Sequence, residues 1–229
     1  IAIDPAVVEP VLAALTEKGW MLTQILNTHH HNDHTGGNLE LKAKTGSIIV
    51  GSCMDRYRIP GIDVEVGEGD IYTFGNATGR VFDVSGHTLG RLAYWFEESV
   101  ALFCGDTMFA MGCGRVIEGE LRQMLLGSLE RLKALPGDTR VYCALEYTQK
   151  NGQFGLTVEP QNSDLITRMR DVDEKRARDI AMVPSRLDEE WKTKPFLRPD
   201  SPHLQETIGL VGAGLVDVFA ETRRCKDVF

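Results

Sequence analysis

Four of the chain's six histidines fall between residues 29 and 34, in the run THHHNDH, directly after the segment MLTQILNT. That segment reads as a short buried strand, so a strand hands the chain straight into a polar loop. In such a loop His29 and His31, two residues apart, point to the same side. Neutral imidazole nitrogens and a carboxylate are what zinc or iron bind near neutral pH, and His29, His31, Asp33 and His34 offer four such groups. A lone surface histidine is usually just solvated, and His30 and His203 are read that way or as outer-shell groups. The clustered set instead points to a metal site, with Gly36 and Gly37 giving the loop backbone freedom to fold in close.

A strand that ends in a metal-binding loop belongs to a sheet. SIIVGS, IDVEVGEGD, IYTF, GRVFDVSG, LAYWFEE and SVALFCGD are short, β-rich and punctuated by Gly, Asn or Asp. PAVVEPVLAALTEKGW has apolar residues at helical spacing, with Asp4 as N-cap, Pro5 at the first helical position and Gly19 past the last turn. Helical residues return from Asn38 to Lys44, ELRQMLLGSLERLKAL is an amphipathic helix closed by Pro136 and Gly137, and TRVYCAL is a further strand. Helices flanking strands predict layers of α, β, β and α over residues 1–145. Beyond that point SDLITRMRDVDEKRARDI is a charged helix, Pro184, Pro195, Pro199 and Pro202 crowd one segment, and VGAGLVDVFAETRRCKDVF closes helically. Residues 146–229 are therefore expected to form a small α-helical second domain.

Composition narrows the function classes. A net charge of −8 argues against a nucleic-acid partner, and no run of eighteen apolar residues could span a membrane. Cys53, Cys104, Cys113, Cys143 and Cys225 are odd in number and never spaced as CxxC, which suggests a reducing compartment and no thiolate zinc knuckle. A cytoplasmic monomer is expected. The chain opens IAIDPAVVEP without methionine, so a preceding segment is expected and a mitochondrial location stays open.

Two further segments have the character to complete a metal site. DVSGHTLG places His87 between Gly86 and Thr88, and ALFCGDTMF places Asp106 behind Gly105, each at the end of a strand. Taken singly, His87 is a structural histidine and Asp106 a turn or cap residue. Beside the histidine loop both read as ligands.

With these segments the chain resembles the metallo-β-lactamase fold and, within it, glyoxalase II, the hydroxyacylglutathione hydrolases. The resemblance runs through THHHNDHTGGN, SGHT, FCGDTMFAMGCGRVIEG, LEYTQKNGQFGLTVEPQN, MVPS, KPFLR and RRCKDVF. It implies an αββα sandwich followed by a helical glutathione-binding domain, a two-metal centre of zinc (iron or manganese also fit such ligands), and hydrolysis of S-D-lactoylglutathione. Carried over by position, His29, His31 and His87 hold the first metal, Asp33 and His34 the second, and Asp106 bridges both, with Asp33 and Asp106 as the catalytic carboxylates. Arg115, Tyr147, Asn151, Arg223 and Lys226 match glutathione-contacting positions. Glutathione carries two carboxylates, so an acidic chain needs a local cationic patch, although RRCK alone is an ordinary helix C-terminus.

The chain departs from the family where Ala144 and Leu145 replace a glycine and a histidine, the third protein ligand of the second metal apart from the bridging Asp106. Leucine has no lone pair, so affinity for that metal is expected to fall, since even outer-shell losses cost about 10- to 100-fold. Ile117 replaces a tyrosine that helps bind glutathione, a neutral hydrogen bond worth roughly 1 kcal/mol. Arg91 stands where a second histidine follows HTxG and is expected to matter less. The family begins with two additional strands, so the chain is expected to be part of a longer one. Leu145 leaves three readings open: a thioester hydrolase weakened at its second metal, a mononuclear-iron dioxygenase acting on glutathione persulfide, and a catalytically silent thiol-binding relative.

Overall fold

Neighbouring residues in the strands face opposite layers. Leu26 and Val50 are buried in one apolar cluster with Val66, Tyr72, Val81, Leu92, Tyr94 and Phe96, whereas Ile25 and Ile49 are buried in another with Val8, Leu22, Leu41 and Ile59. That alternation is the period-two signature of a sheet covered on both faces. A computed structural model describes residues 1–229. It divides into two compact units, Ile1–Asp83 with Thr88–Gly105, and Val84–His87 with Asp106–Phe229.

The first unit runs β1 (Ala2–Ile3), α1 (Glu9–Lys18), β2 (Gln24–Leu26), α2 (Asn32–Thr35), α3 (Asn38–Thr45), β3 (Ile48–Ser52), β4 (Val64–Val66), β5 (Ile71–Phe74), β6 (Ala77–Asp83), β7 (Leu92–Phe96) and β8 (Ala101–Gly105). β1 to β4 pair in sequence order as parallel neighbours. β5 to β8 form an antiparallel meander in which Val81 faces Tyr94 and Phe96 faces Ala101. The two sheets close on the cluster of Leu26, Val50, Tyr94 and Phe96. The other face of the parallel sheet is covered where Leu41 of α3, with Leu12 and Leu15 of α1, packs on Ile25 and Ile49.

The helix expected from Pro5 begins instead at Glu9, with Pro10 in its first turn and Val8 before it. Asp4 is not its cap. Its backbone is left-handed, at φ 49°, and its carboxylate accepts from the Thr28 amide and hydroxyl, both at 2.7 Å. Those two bonds are worth more to a carboxylate than an exposed helix start. Gly19 closes α1 as expected, in a left-handed conformation at φ 64°.

The second unit contains β9 (Met108–Phe109), β10 (Gly112–Cys113), α4 (Glu130–Lys133), β11 (Arg140–Cys143), α5 (Thr148–Val158), α6 (Ser163–Arg176), β12 (Ser185–Arg186), α7 (Leu187–Thr193), α8 (Pro202–Thr207) and α9 (Leu215–Asp227). β9 and β10 are an antiparallel hairpin, and β11 and β12 also pair antiparallel, although α5 and α6 lie between them in the chain. The helix expected over ELRQMLLGSLERLKAL takes wide π turns from Gln123 to Leu129 before α4. Its buried Met124, Leu125, Ser128 and Leu129 have a spacing that serves either kind of helix, so periodicity could not tell them apart. The proline-rich stretch hides short helices, because Pro195 and Pro202 each sit in a first turn. Met111, Leu165, Met169 and Val172 form a buried cluster in this unit. No helix is long and apolar enough to cross a membrane.

Candidate metal centre and substrate site

The histidine loop leaves β2 at Leu26, and its imidazoles converge. The His29 ring centroid lies 4.6 Å from that of His31 and 4.0 Å from that of His34. His29 and His34 are fully buried, and His31 ends its extended stretch as the residue before α2. One ligand atom each from Asp4, His29 and His34 lies within 4.8 Å of the others. Asp33 follows on α2 with its carboxylate 60% exposed and Oδ2 3.7 Å from His34 Nε2.

Hydrogen bonding assigns the imidazole tautomers. Asp4 Oδ2 lies 3.0 Å from His34 Nδ1, and a carboxylate only accepts, so Nδ1 carries the proton and Nε2 the lone pair. Thr28 donates its hydroxyl proton to Asp4, so the same hydroxyl accepts from His29 Nδ1 at 3.1 Å. His29 too then presents Nε2 as a base. His30 turns the other way, to the fully buried Asp55 at 3.1 Å, which Arg58 also holds. It is thus an outer group, and His203 is exposed.

In the second unit His87 Nδ1 lies 2.7 Å from the Arg115 carbonyl. A carbonyl cannot donate, so the lone pair is again on Nε2, which stands 3.7 Å from Asp106 Oδ2. That distance exceeds a hydrogen bond and is close to the roughly 3.4 Å between two atoms held about 2.1 Å from one tetrahedral zinc. Backbone bonds from Glu118 to His87 and from Gly119 to Gly86 hold the His87 segment. Gly114 must lack a side chain, because a Cβ there would drive into the Asp106 carbonyl and approach His87 Nδ1 to 3.1 Å. The donor set in each unit, imidazole Nε2 lone pairs beside carboxylates, fits zinc or iron.

The residues matched to glutathione contacts all lie in the second unit and separate into exposed and committed groups. Arg115 is 69% exposed, with Nε 3.3 Å from Asp227, and Tyr147 is exposed with its ring edge-on to Phe109. Lys226 lies over the Phe154 and Phe229 rings at 5.1 and 4.8 Å. Partial burial, then the charges of Arg223 and Lys150, lower its pKa to about 8. Arg223 is buried; it donates to the Cys113 carbonyl at 3.1 Å, pairs with Asp227 at 2.9 Å and stacks on Phe196. Asn151 is buried too and donates to the Ala110 carbonyl at 3.1 Å. Leu145 is half-buried in the bend after β11, its carbonyl accepting from the Cys143 thiol. Ile117 is exposed.

Thr28, Asp55 and Glu190 escaped the sequence reading, and Asp4 was read only as a helix cap. The signal for Asp4 was the second proline: Pro10 marks the helix start, which frees Asp4 for other work. Arg91 matters more than expected, being fully buried. A Cβ on Gly105, which is at φ 50°, would collide with the Thr28 hydroxyl and approach Arg91 Nη1 to 3.1 Å.

Comparison with known proteins adds the following. The metallo-β-lactamase superfamily matches residues 2–144, and the hydroxyacylglutathione hydrolase C-terminus matches residues 146–229. A hydroxyacylglutathione hydrolase of Methylococcus capsulatus is 56% identical over 228 residues, covering 100% of this chain and 89% of the relative. One of Rhodospirillum rubrum is 54% identical, covering 99% and 88%. Among solved structures, ETHE1 from Myxococcus xanthus superposes with a TM-score of 0.65 at 25% identity, covering 98% of this chain and 87% of that one.

Proposed function

Because the chain belongs to the hydroxyacylglutathione hydrolases of the metallo-β-lactamase superfamily, we propose that it hydrolyses S-(2-hydroxyacyl)glutathione, S-D-lactoylglutathione foremost, to glutathione and a 2-hydroxy acid. It is a hydrolase with the α/β fold of that superfamily and a C-terminal helical region. The observation that carries the reading is the convergence of the His29, His31 and His34 rings, two of them held as Nδ1–H tautomers through Asp4.

His29, His31, His87 and Asp106 would hold one ion, with Asp33, His34 and Asp106 left for a second that lacks a nitrogen at Leu145. A divalent metal such as zinc, when bound, lowers the pKa of water to about 7 and polarises a carbonyl. Asp33 and Asp106 would orient the attacking water by accepting hydrogen bonds from it, and one of them would take the single proton the water gives up as it attacks. Water oxygen bonds to the thioester carbon, the C–S bond breaks, and the thiolate leaves without a dedicated acid because its thiol pKa is near 8.5. Arg115 and Lys226 meet the carboxylates of the tripeptide, Tyr147 offers its hydroxyl, and Arg223 and Asn151 shape the wall behind them. Residues 1–145 supply catalysis and Arg115, and residues 146–229 the remaining glutathione contacts.

Purified chain assayed with S-D-lactoylglutathione, alongside metal analysis, tests this. Chelator-sensitive hydrolysis with one tightly held ion is expected. Absence of turnover at every metal loading would leave the silent binding protein, and oxygen consumption with glutathione persulfide would leave the dioxygenase.

A further inference from the structure

The β9–β10 hairpin is two residues long on each side and turns through Ala110 and Met111, too short to hold itself. Met111 has φ 57°, a left-handed conformation that a side-chain-bearing residue keeps only where its surroundings over-determine it. Three helices do so. Glu190 of α7 accepts from the Met111 amide at 2.9 Å, Asn151 of α5 donates to the Ala110 carbonyl at 3.1 Å, and Arg223 of α9 donates to the Cys113 carbonyl at 3.1 Å. Gly112 is bare because a Cβ would strike the Asn151 amide.

Glu190 has no part in the ligand or substrate sets, yet it is the most deeply committed of the three. It is fully buried; Arg168 of α6 donates to Oε1 at 2.5 Å, and the equally buried Lys194 stands 3.2 Å from Oε2. Apolar residues would fill such a space as stably as buried charges. What a carboxylate locked between two cations adds is a fixed acceptor for one particular amide. We propose that Glu190 is a positioning residue for hydrolysis: by fixing Met111 it sets the hairpin that leads from Asp106 to Arg115, whose carbonyl in turn orients His87. The inference rests on the reading of Asp106 and His87 as metal ligands.

Glu190→Asp keeps the charge but withdraws the acceptor from Met111, whereas Glu190→Gln keeps an acceptor at the same reach and loses the charge. Thr193→Val removes the other acceptor of Arg168 without touching the hairpin. In metal-free Glu190→Asp, amide hydrogen exchange at Met111 is expected to rise at least about tenfold while α6 stays protected. Zinc affinity, by chelator competition, is expected to fall roughly 10- to 100-fold. Glu190→Gln should fall between this variant and the parent, and serves if the aspartate variant does not fold. Thr193→Val should lose melting temperature alone. Parent-like zinc affinity with a protected hairpin in both Glu190 variants overturns the proposal, as would equal zinc losses in Thr193→Val. Unchanged zinc affinity in Asp106→Asn is a different failure, that of the ligand reading itself.

Discussion

The histidine loop carries ligand-type side chains and the β9–β10 hairpin follows directly after one, Asp106, and the two are held in opposite ways. The loop is anchored locally, by one carboxylate near the start of the chain: Asp4 gathers the Thr28 amide, the Thr28 hydroxyl and His34 Nδ1. The hairpin is anchored remotely, by side chains from α5, α7 and α9 that reach its backbone. A local anchor sets tautomers and ring orientation directly, whereas a remote one sets where a backbone segment runs. Damage to the first should appear in the metal, and damage to the second in stability as well.

The largest separation between them should come in acid. Burial alone would raise the Glu190 pKa, but Lys194, Arg168 and the Met111 amide outweigh it and hold it at about 2, against 4.5 ordinarily. A lowered carboxyl pKa stabilises the fold fully above the unfolded value, and the contribution is lost as pH falls from about 4.5 to about 2. The shift corresponds to on the order of 3 kcal/mol. Urea unfolding of the parent between pH 5 and 2.5 should lose most of that amount beyond what Glu190→Gln loses; parallel curves would mean that Glu190 carries no such stability.

Asp4→Asn probes the local anchor. Three donors converge on Asp4, and an amide offers one acceptor oxygen and two more donors, so His34 and Thr28 must reorganise. Zinc affinity should drop about 10- to 100-fold, with a smaller change in melting temperature than Glu190 variants show. Parent-like chelator competition would mean that Asp4 merely fastens the chain start.

The smallest effect concerns Lys226, a half-buried cation on α9. In the substrate-free protein Lys226 loses its charge as pH rises through about 8. Its lowered pKa penalises the folded state below that pH, and the penalty is relieved between about 8 and 10.5. KM for the anionic thioester should climb up to about tenfold above pH 8, the worth of one charge-assisted hydrogen bond, with kcat less affected. Lys226→Met should flatten the profile; an unchanged slope would relieve Lys226 of its substrate role.

The local arrangement was the more legible of the two. Ile25–Leu26 and Ile49–Val50 announce a sheet buried on both faces, and His29, His31, Asp33 and His34 lie within one loop. Asp4 was misplaced because Pro5 and Pro10 both offer a helix start, and only tertiary bonds to Thr28 decide between them. Glu190 was invisible for a different reason. Within LDEEWKT it is one of three acids in a first turn, which reads as a solvated face favoured by the helix dipole. Nothing local tells that Arg168 and Lys194 draw this one inward. Arg91 was discounted as a missing histidine, whereas complete burial gives it a structural place of its own.

A substitution at Leu145 separates the readings that remain. On the proposed reading this chain is a hydroxyacylglutathione hydrolase whose second ion is weakened by one missing imidazole. Leu145→His should be assayed beside the parent for bound metal per chain and for S-D-lactoylglutathione hydrolysis. A gain of a second ion together with a faster rate is the predicted result; equal metal content and equal rate in both proteins would contradict it.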